Sequence, residues 1–241
     1  MTREALLLTL EGMIPFQDAW DLQRRLVAAR QQGAIPDVLI LLEHQPVFTI
    51  GRAGDRGHLL LPREALRQRG FDVYDIERGG SVTYHGPGQL VAYPILDLRA
   101  LDEDIVRFMR ALEESIIRTV ADFGIAAARL RGFPGVWVGE AKIAAVGVAV
   151  KRRVTMHGMA LNVTTSLDHF AWINPCGLGR PVTSMAKELQ REVSMPEVAG
   201  VYARCFADVY ALRLTPVSLG DLEARLARVQ VEGGTRVGEV A

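Results

Sequence analysis

Cysteine is nearly missing: 241 residues hold two, Cys176 and Cys205. Two are too few for a disulfide framework, so a reducing cytoplasm is the simplest setting. Net charge is missing too, with 28 basic side chains against 28 acidic ones. That balance excludes the global basic excess with which nucleic-acid binders meet phosphate. No apolar run reaches the ~18 residues that suggest a membrane span. The opening MTREALLLTLEG has a short apolar run and no small-residue cleavage site, so it reads as a strand and not a signal peptide. Repeats and low-complexity tracts are absent. Hydrophobic residues make up 49% of the chain and charged ones 23%, which excludes disorder and suits a packed core. The length fits a single domain over residues 1–230, with 231–241 as a loose tail.

What is present is an interspersed series of strand and helix patterns. Ala5–Leu10, Val38–Leu42 and Val47–Ile50 read as strands. Phe16–Gln31 reads as a helix, with Phe16, Ala19, Trp20, Leu26 and Val27 at helical spacing and Gly33 as its stop. Pro62–Arg69 predicts a short helix with proline in its first turn. Phe71–Asp75 and Leu90–Leu96 predict strands on either side of a glycine-rich segment. Ile105, Phe108, Met109, Leu112, Ile116 and Val120 form one stripe, which predicts a helix over Asp104–Phe123. Val136–Val138, Lys142–Val150 and Val154–Val163 predict three more strands, the middle one apolar on both faces and so inside a sheet. Pro196–Leu212 and Leu222–Val229 predict the last helices. The fold class is therefore α/β (α+β), a mixed β-sheet flanked by helices.

Few residues offer chemistry. Cys176 stands in INPCGLGRP, between proline and glycine, hence in a turn or loop. It is either a reactive thiol or a small buried hydrophobe. Cys205 falls on the apolar stripe of a helix and reads as packing. A reactive thiol needs a cation or imidazole nearby, and Lys142, His85 and His157 are the candidates. Lys142 opens the apolar run KIAAVGVAV. It is either a desolvated amine that loses its proton readily or a strand-end lysine reaching solvent. His157 sits mid-strand on the face of Met159 and Leu161, as a core histidine or a site residue. Gly158 beside it implies a close backbone neighbour. His157, His169 and Cys176 lack metal-ligand spacing, so no metal is expected. The segment RGGSVTYHGPGQL fits neither phosphate-binding glycine motif.

The stretches LLEHQPVFTIGR, RGGSVTYHGPGQLVAYPILDL, AKIAAVG, HGMALNV and INPCGL occur in this order between Leu41 and Leu178. Together they resemble the octanoyltransferases of lipoic acid synthesis. The related ATP-using lipoate–protein ligases carry a version of the glycine-rich segment ending near HD-x-GN, where this chain has HGPGQ. The resemblance implies the fold of the biotin and lipoate ligase catalytic domains. It implies Cys176 as nucleophile and Lys142 as its partner. It implies an acyl site lined by Arg78, Gly79, Gly80, Ser81, Val82, Thr83, Tyr84 and His85, by Ala145, Val146 and Gly147, and by His157, Gly158 and Met159. Relatives often place a serine within the AAVG stretch, so no side-chain hydroxyl is available at Ala145.

The implied donor is octanoyl–acyl carrier protein. The implied acceptors are lipoyl domains of 2-oxoacid dehydrogenase E2 subunits and the glycine cleavage H protein. No cofactor is implied, neither ATP nor metal, since phosphopantetheine arrives on the carrier. A cytoplasmic monomer with no nucleic acid or membrane partner is expected. Basic Lys151, Arg152 and Arg153, at a hairpin, are expected to steer an acidic carrier. Two other enzyme classes stay open on the residues: an ATP-dependent lipoate or octanoate ligase, which needs no cysteine, and a thioesterase, which passes the acyl group to water. A carrier-binding module without chemistry is the third alternative.

Overall fold

The computed structural model describes residues 3–54, 56–174 and 180–235. Cys176 and residues 236–241 of the expected tail lie outside the described residues. The chain begins with β1 (Arg3–Ile14), α1 (Phe16–Gln31), β2 (Asp37–His44) and β3 (Val47–Ile50). A short helix α2 (Arg63–Arg67) leads to β4 (Asp72–Asp75), β5 (Val82–His85) and β6 (Gln89–Ile95). Next come α3 (Ile105–Asp122), β7 (Ala128–Leu130), β8 (Phe133–Val138), β9 (Ala141–Lys151) and β10 (Val154–Asn162). The chain continues through α4 (Met185–Leu189), α5 (Met195–Tyr210), β11 (Leu212–Pro216) and α6 (Leu219–Thr235).

Eight strands form one mixed sheet in the order β11-β1-β2-β6-β10-β9-β8-β7, and β4-β3-β5 form a small second sheet. β1 runs parallel to both β11 and β2, while β6, β10 and β9 pair antiparallel. The apolar β9 is an inner strand, as its two-faced pattern predicts. Alternation along the strands feeds two cores. On one face Phe108, Leu112 and Ile116 of α3 and Val198, Tyr202 and Phe206 of α5 pack on Leu39, Ala92 and Leu161. On the other face Leu22 and Leu26 of α1 and Leu222 and Leu226 of α6 pack on Ile40, Tyr93 and Ala160. Each such large side chain contributes ~1.5–3 kcal/mol when fully buried. Cys205 is buried in α5.

Asp104 caps α3 by accepting from Arg107 N, and Ser194 caps α5, with Pro196 in its first turn. Ile105 departs from expectation: it starts α3 but is 47% exposed. β5, β7 and β11 go beyond the predicted strands. α6 continues to Thr235, into the segment expected to be loose. No helix among the described residues is long and apolar enough to cross a membrane.

β10 carries one irregularity. Pro94 of β6 stands opposite His157, and proline has no N–H to give to the ladder. The β6–β10 pairing breaks there and resumes in the same register at the Asp97–Val154 bridge. The Thr155 hydroxyl fills the gap, donating to Pro94 O at 2.6 Å and accepting from Leu96 N at 2.9 Å. His157 adopts φ of 58°, and its N–H goes to Gln23 Oε1 at 2.7 Å.

Candidate active site

A cavity of about 390 Å³ opens between the β9–β10 hairpin and the glycine-rich segment. The two walls meet where Gly79 N donates to Val148 O at 2.9 Å. The approach is tight: a Cβ on Gly147 would stand 3.0 Å from Gly79 O and 3.2 Å from Arg78 Cδ. Arg78, Gly79, Gly80, Ser81, Val82, Thr83 and His85 line one side. Lys142, Ala145, Val146, Gly147, His157, Gly158 and Met159 line the other. Tyr84 does not line it. As β5 is a strand, Tyr84 points the opposite way from its neighbours and packs on Phe48, Phe71 and Phe170 in the core of the small sheet. Ile105 and Met109 complete the rim, which explains the exposure of Ile105.

Lys142 is held by its backbone. Its N–H donates to Pro181 O and its carbonyl accepts from Thr183 N, both at 2.9 Å. Its Nζ lies 4.7 Å from the centre of the Trp137 ring, within cation–π range. Cys176 lies outside the described residues.

Arg78 is buried, and its bonds go to neutral oxygens. It donates to Thr49 O at 2.7 Å, Thr49 Oγ1 at 3.0 Å and Gly79 O at 3.0 Å. Its Nε is buried with no partner among the described residues. Burial lowers its pKa to about 10, which still leaves the guanidinium charged at neutral pH. A buried cation beside a cavity, with no carboxylate partner among the described residues, favours negative charge developing there.

His85 is tied to a polar relay. Gln89 Nε2 donates to Tyr84 O and to Asn162 Oδ1, and Asn162 Nδ2 donates to Thr183 O. Backbone carbonyls only accept, so these two fix both amides. Gln89 Oε1 must then accept from His85 Nδ1–H, at 2.8 Å. His85 is neutral, its pKa held well below the usual value by burial and then by His44. His44 behind it donates from Nδ1 to Ile14 O and accepts from the Tyr93 hydroxyl at 2.6 Å, with burial lowering its pKa to about 4.

His157 differs from its expected placement. Its ring sits beside Tyr93 and Glu77 and not with Met159 and Leu161, because the left-handed backbone redirects it. Its Nε2 lies 3.4 Å from Glu77 Oε2 without hydrogen-bond geometry. Burial lowers the His157 pKa. Glu77 also takes the Trp20 indole N–H and pairs with Lys151 Nζ at 2.9 Å. The His157 contact and then Lys151 push the Glu77 carboxyl far down against its burial. Gly158 has the close neighbour that the sequence implies: a Cβ there would overlap the Ala92 carbonyl oxygen. Among the described residues no three His, Cys, Asp or Glu side chains gather to hold a metal ion.

Two residues went unread in the sequence. His58 reaches Ser81 Oγ with Nδ1 at 2.5 Å, and Gln89 carries the relay. His58 has no motif around it, and its contact lies 23 residues away. Gln89 stands in HGPGQ, where its spacing of four from His85 was the available signal.

Residues 15–207 match the family model described as the lipoyl protein ligase A/B catalytic domain. The chain is 49% identical over 205 residues to the octanoyltransferase of Solibacter usitatus, covering 85% of this chain and 93% of that one. It is 49% identical over 222 residues to the octanoyltransferase of Gloeobacter violaceus, covering 92% and 96%. The crystal structure of lipoate-protein ligase A bound with ATP superposes with a TM-score of 0.73 over 95% of this chain and 93% of that one, at 21% identity. At that identity the likeness is one of fold, a mixed sheet flanked by helices.

Proposed function

The chain belongs to the octanoyltransferases within the lipoyl protein ligase A/B catalytic-domain family, and on that premise we propose the course of its reaction. It transfers the octanoyl group of octanoyl–acyl carrier protein to the lysine of a lipoyl domain. The acceptors are E2 subunits of 2-oxoacid dehydrogenases and the glycine cleavage H protein. The Cys176 thiolate attacks the thioester carbonyl, and the C–S bond to phosphopantetheine breaks. Lys142, as ammonium, gives its proton to the departing thiolate. One thioester replaces another at nearly equal free energy, so ATP is not consumed. Lys142, now neutral, takes the proton that the acceptor amine sheds as it attacks the acyl-enzyme. Cys176 leaves as thiolate, and the amide formed is more stable than the thioester.

The observation that carries this reading is the cavity: apolar along Val146, Val148 and Met159, with Lys142 on its wall and the buried Arg78 beside it. Its volume falls in the ~300–1,000 Å³ range of small-ligand sites. Support for carrier steering by the β9–β10 turn is thinner than the sequence suggests. Lys151 is paired with Glu77 and Arg153 with Glu103, so Arg152 carries most of that role.

The test is the intact mass of the protein after mixing with octanoyl–acyl carrier protein and no ATP. One octanoyl adduct on the Cys176 peptide is expected, and none in Cys176→Ala. An adduct on Cys205, or amide product from Cys176→Ala, overturns the mechanism. Lys142→Arg keeps a charge but gives up no proton, so it should slow transfer to the acceptor more than acylation.

A further inference from the structure

His58 ends a short 3-10 turn, Arg56–His58. Its backbone is fixed by a neighbouring segment. Leu60 N donates to Trp172 O at 2.9 Å, and Asn174 N donates to His58 O at 2.8 Å. Leu59 bridges Ile173 between these bonds. Ser81 is fixed as well, its carbonyl accepting from Gly51 N at 2.9 Å. Ser81 is buried, 6% exposed, and lines the cavity. The 2.5 Å contact from His58 Nδ1 to Ser81 Oγ therefore joins two held backbones and sets the hydroxyl's direction.

A hydroxyl donates once and accepts twice. If His58 Nδ1 accepts the Ser81 proton, the hydroxyl presents only lone pairs to the cavity. If Nδ1–H donates to Oγ, the hydroxyl proton is free to point inward. A thioester offers acceptors and no donors, so only the second arrangement makes a hydrogen bond to it. We propose that Ser81, oriented by the Nδ1–H of His58, donates a hydrogen bond to the carbonyl oxygen of the bound acyl thioester, with His58 as its positioning residue. This rests on the octanoyl-transfer reading above. The carbonyl oxygen gains negative charge as Cys176 adds, so the bond strengthens on the way to the tetrahedral intermediate.

The experiment is single-turnover acylation by octanoyl–acyl carrier protein, followed by intact mass over a range of carrier concentrations. The proteins are the parent, Ser81→Ala, His58→Asn and His58→Leu, each checked for folding by thermal melting. Asparagine keeps an N–H donor near the position of Nδ1, whereas leucine keeps only bulk. Ser81→Ala and His58→Leu should lower the maximal acylation rate on the order of 100-fold with the half-saturating concentration unchanged. His58→Asn should recover most of that loss. Ser81→Ala acylating at the parent's rate, or equal losses in His58→Asn and His58→Leu, overturns the proposal. If the parent itself takes no acyl group, the octanoyl-transfer reading fails. If the parent acylates and the variants match it, only the role of Ser81 fails.

Discussion

The two walls of the cavity are built by different means. The wall of β9 and β10 belongs to the large sheet, held on both sides by backbone ladders. The opposite wall, from Arg78 to Ser81, is a loop held by scattered bonds. Main-chain N–H groups of Gly51, Arg52 and Ala53 donate to Ser81 O, Arg78 O and Gly80 O, and Gly79 N donates to Val148 O. Two side-chain contacts join Arg78 to Thr49 and Ser81 to His58. A ladder shares its load among many bonds. A loop held by scattered bonds outside any ladder can be altered one residue at a time. Changes in the first wall should therefore register as stability, and changes in the second as activity.

Gly158→Val should give the largest effect. Its Cβ would overlap the Ala92 carbonyl oxygen of the neighbouring strand, and backbone cannot step aside cheaply. We expect a loss on the order of 3 kcal/mol or more in urea unfolding, at the top of the range for overpacking. A stable, inactive Gly158→Val protein would erase the distinction between the walls.

Arg78→Met probes the other wall. Its removal forfeits three donated hydrogen bonds but relieves a buried charge that lacks a carboxylate partner among the described residues. Stability should change by less than about 2 kcal/mol, while turnover falls on the order of 100-fold. Parallel losses in melting temperature and turnover would make Arg78 a structural pin.

His44, at the end of β2, sharpens the contrast through pH. Burial holds it to about 4, against an ordinary 6.5. Between those values the unfolded chain binds a proton that the folded chain refuses, so acid favours unfolding. The contribution is fully present above pH ~6.5 and should be about 2 kcal/mol smaller at pH 5. His44→Gln should flatten this part of the stability–pH curve. An unchanged curve would mean that other groups control it.

Gly79→Val should be the mildest for the fold. A Cβ there meets only Val148 O, at an ordinary 3.5 Å. Stability should hold within about 1 kcal/mol and activity fall about tenfold, as the side chain takes substrate space. Gly80→Val is a poorer probe, since Gly80 has φ of 82° and any side chain there is strained.

The same division governs what could be read in the sequence. The helices packed on the large sheet were legible because period and burial agree: Phe16–Gln31 and the core of Asp104–Phe123 follow their stripes. Leu212–Pro216 escaped because its apolar start continues the pattern of the helix before it. Tyr84 was misplaced because four residues of strand hide inside a glycine-rich segment, and alternation sends every second side chain away. His157 was misplaced because proline opposite it breaks a ladder two strands share, which no single strand's pattern records. His58 was invisible because its significance is a contact across the fold. The Cys176 and Lys142 roles came from motif resemblance and stand on it still.

The pairing of β1 with β11 has a consequence during synthesis. Glu4 and Arg213, joined across that pair, are 209 residues apart. At ~5–20 residues per second, the outer edge of β1 waits on the order of 10–40 s for its partner to leave the ribosome. Through that interval the main-chain groups of Ala5, Leu6 and Leu7 that β11 will take up form an open template for strand addition. The nascent chain is exposed to misassembly along this edge of β1, and a chaperone that shields that segment should raise the yield of folded protein.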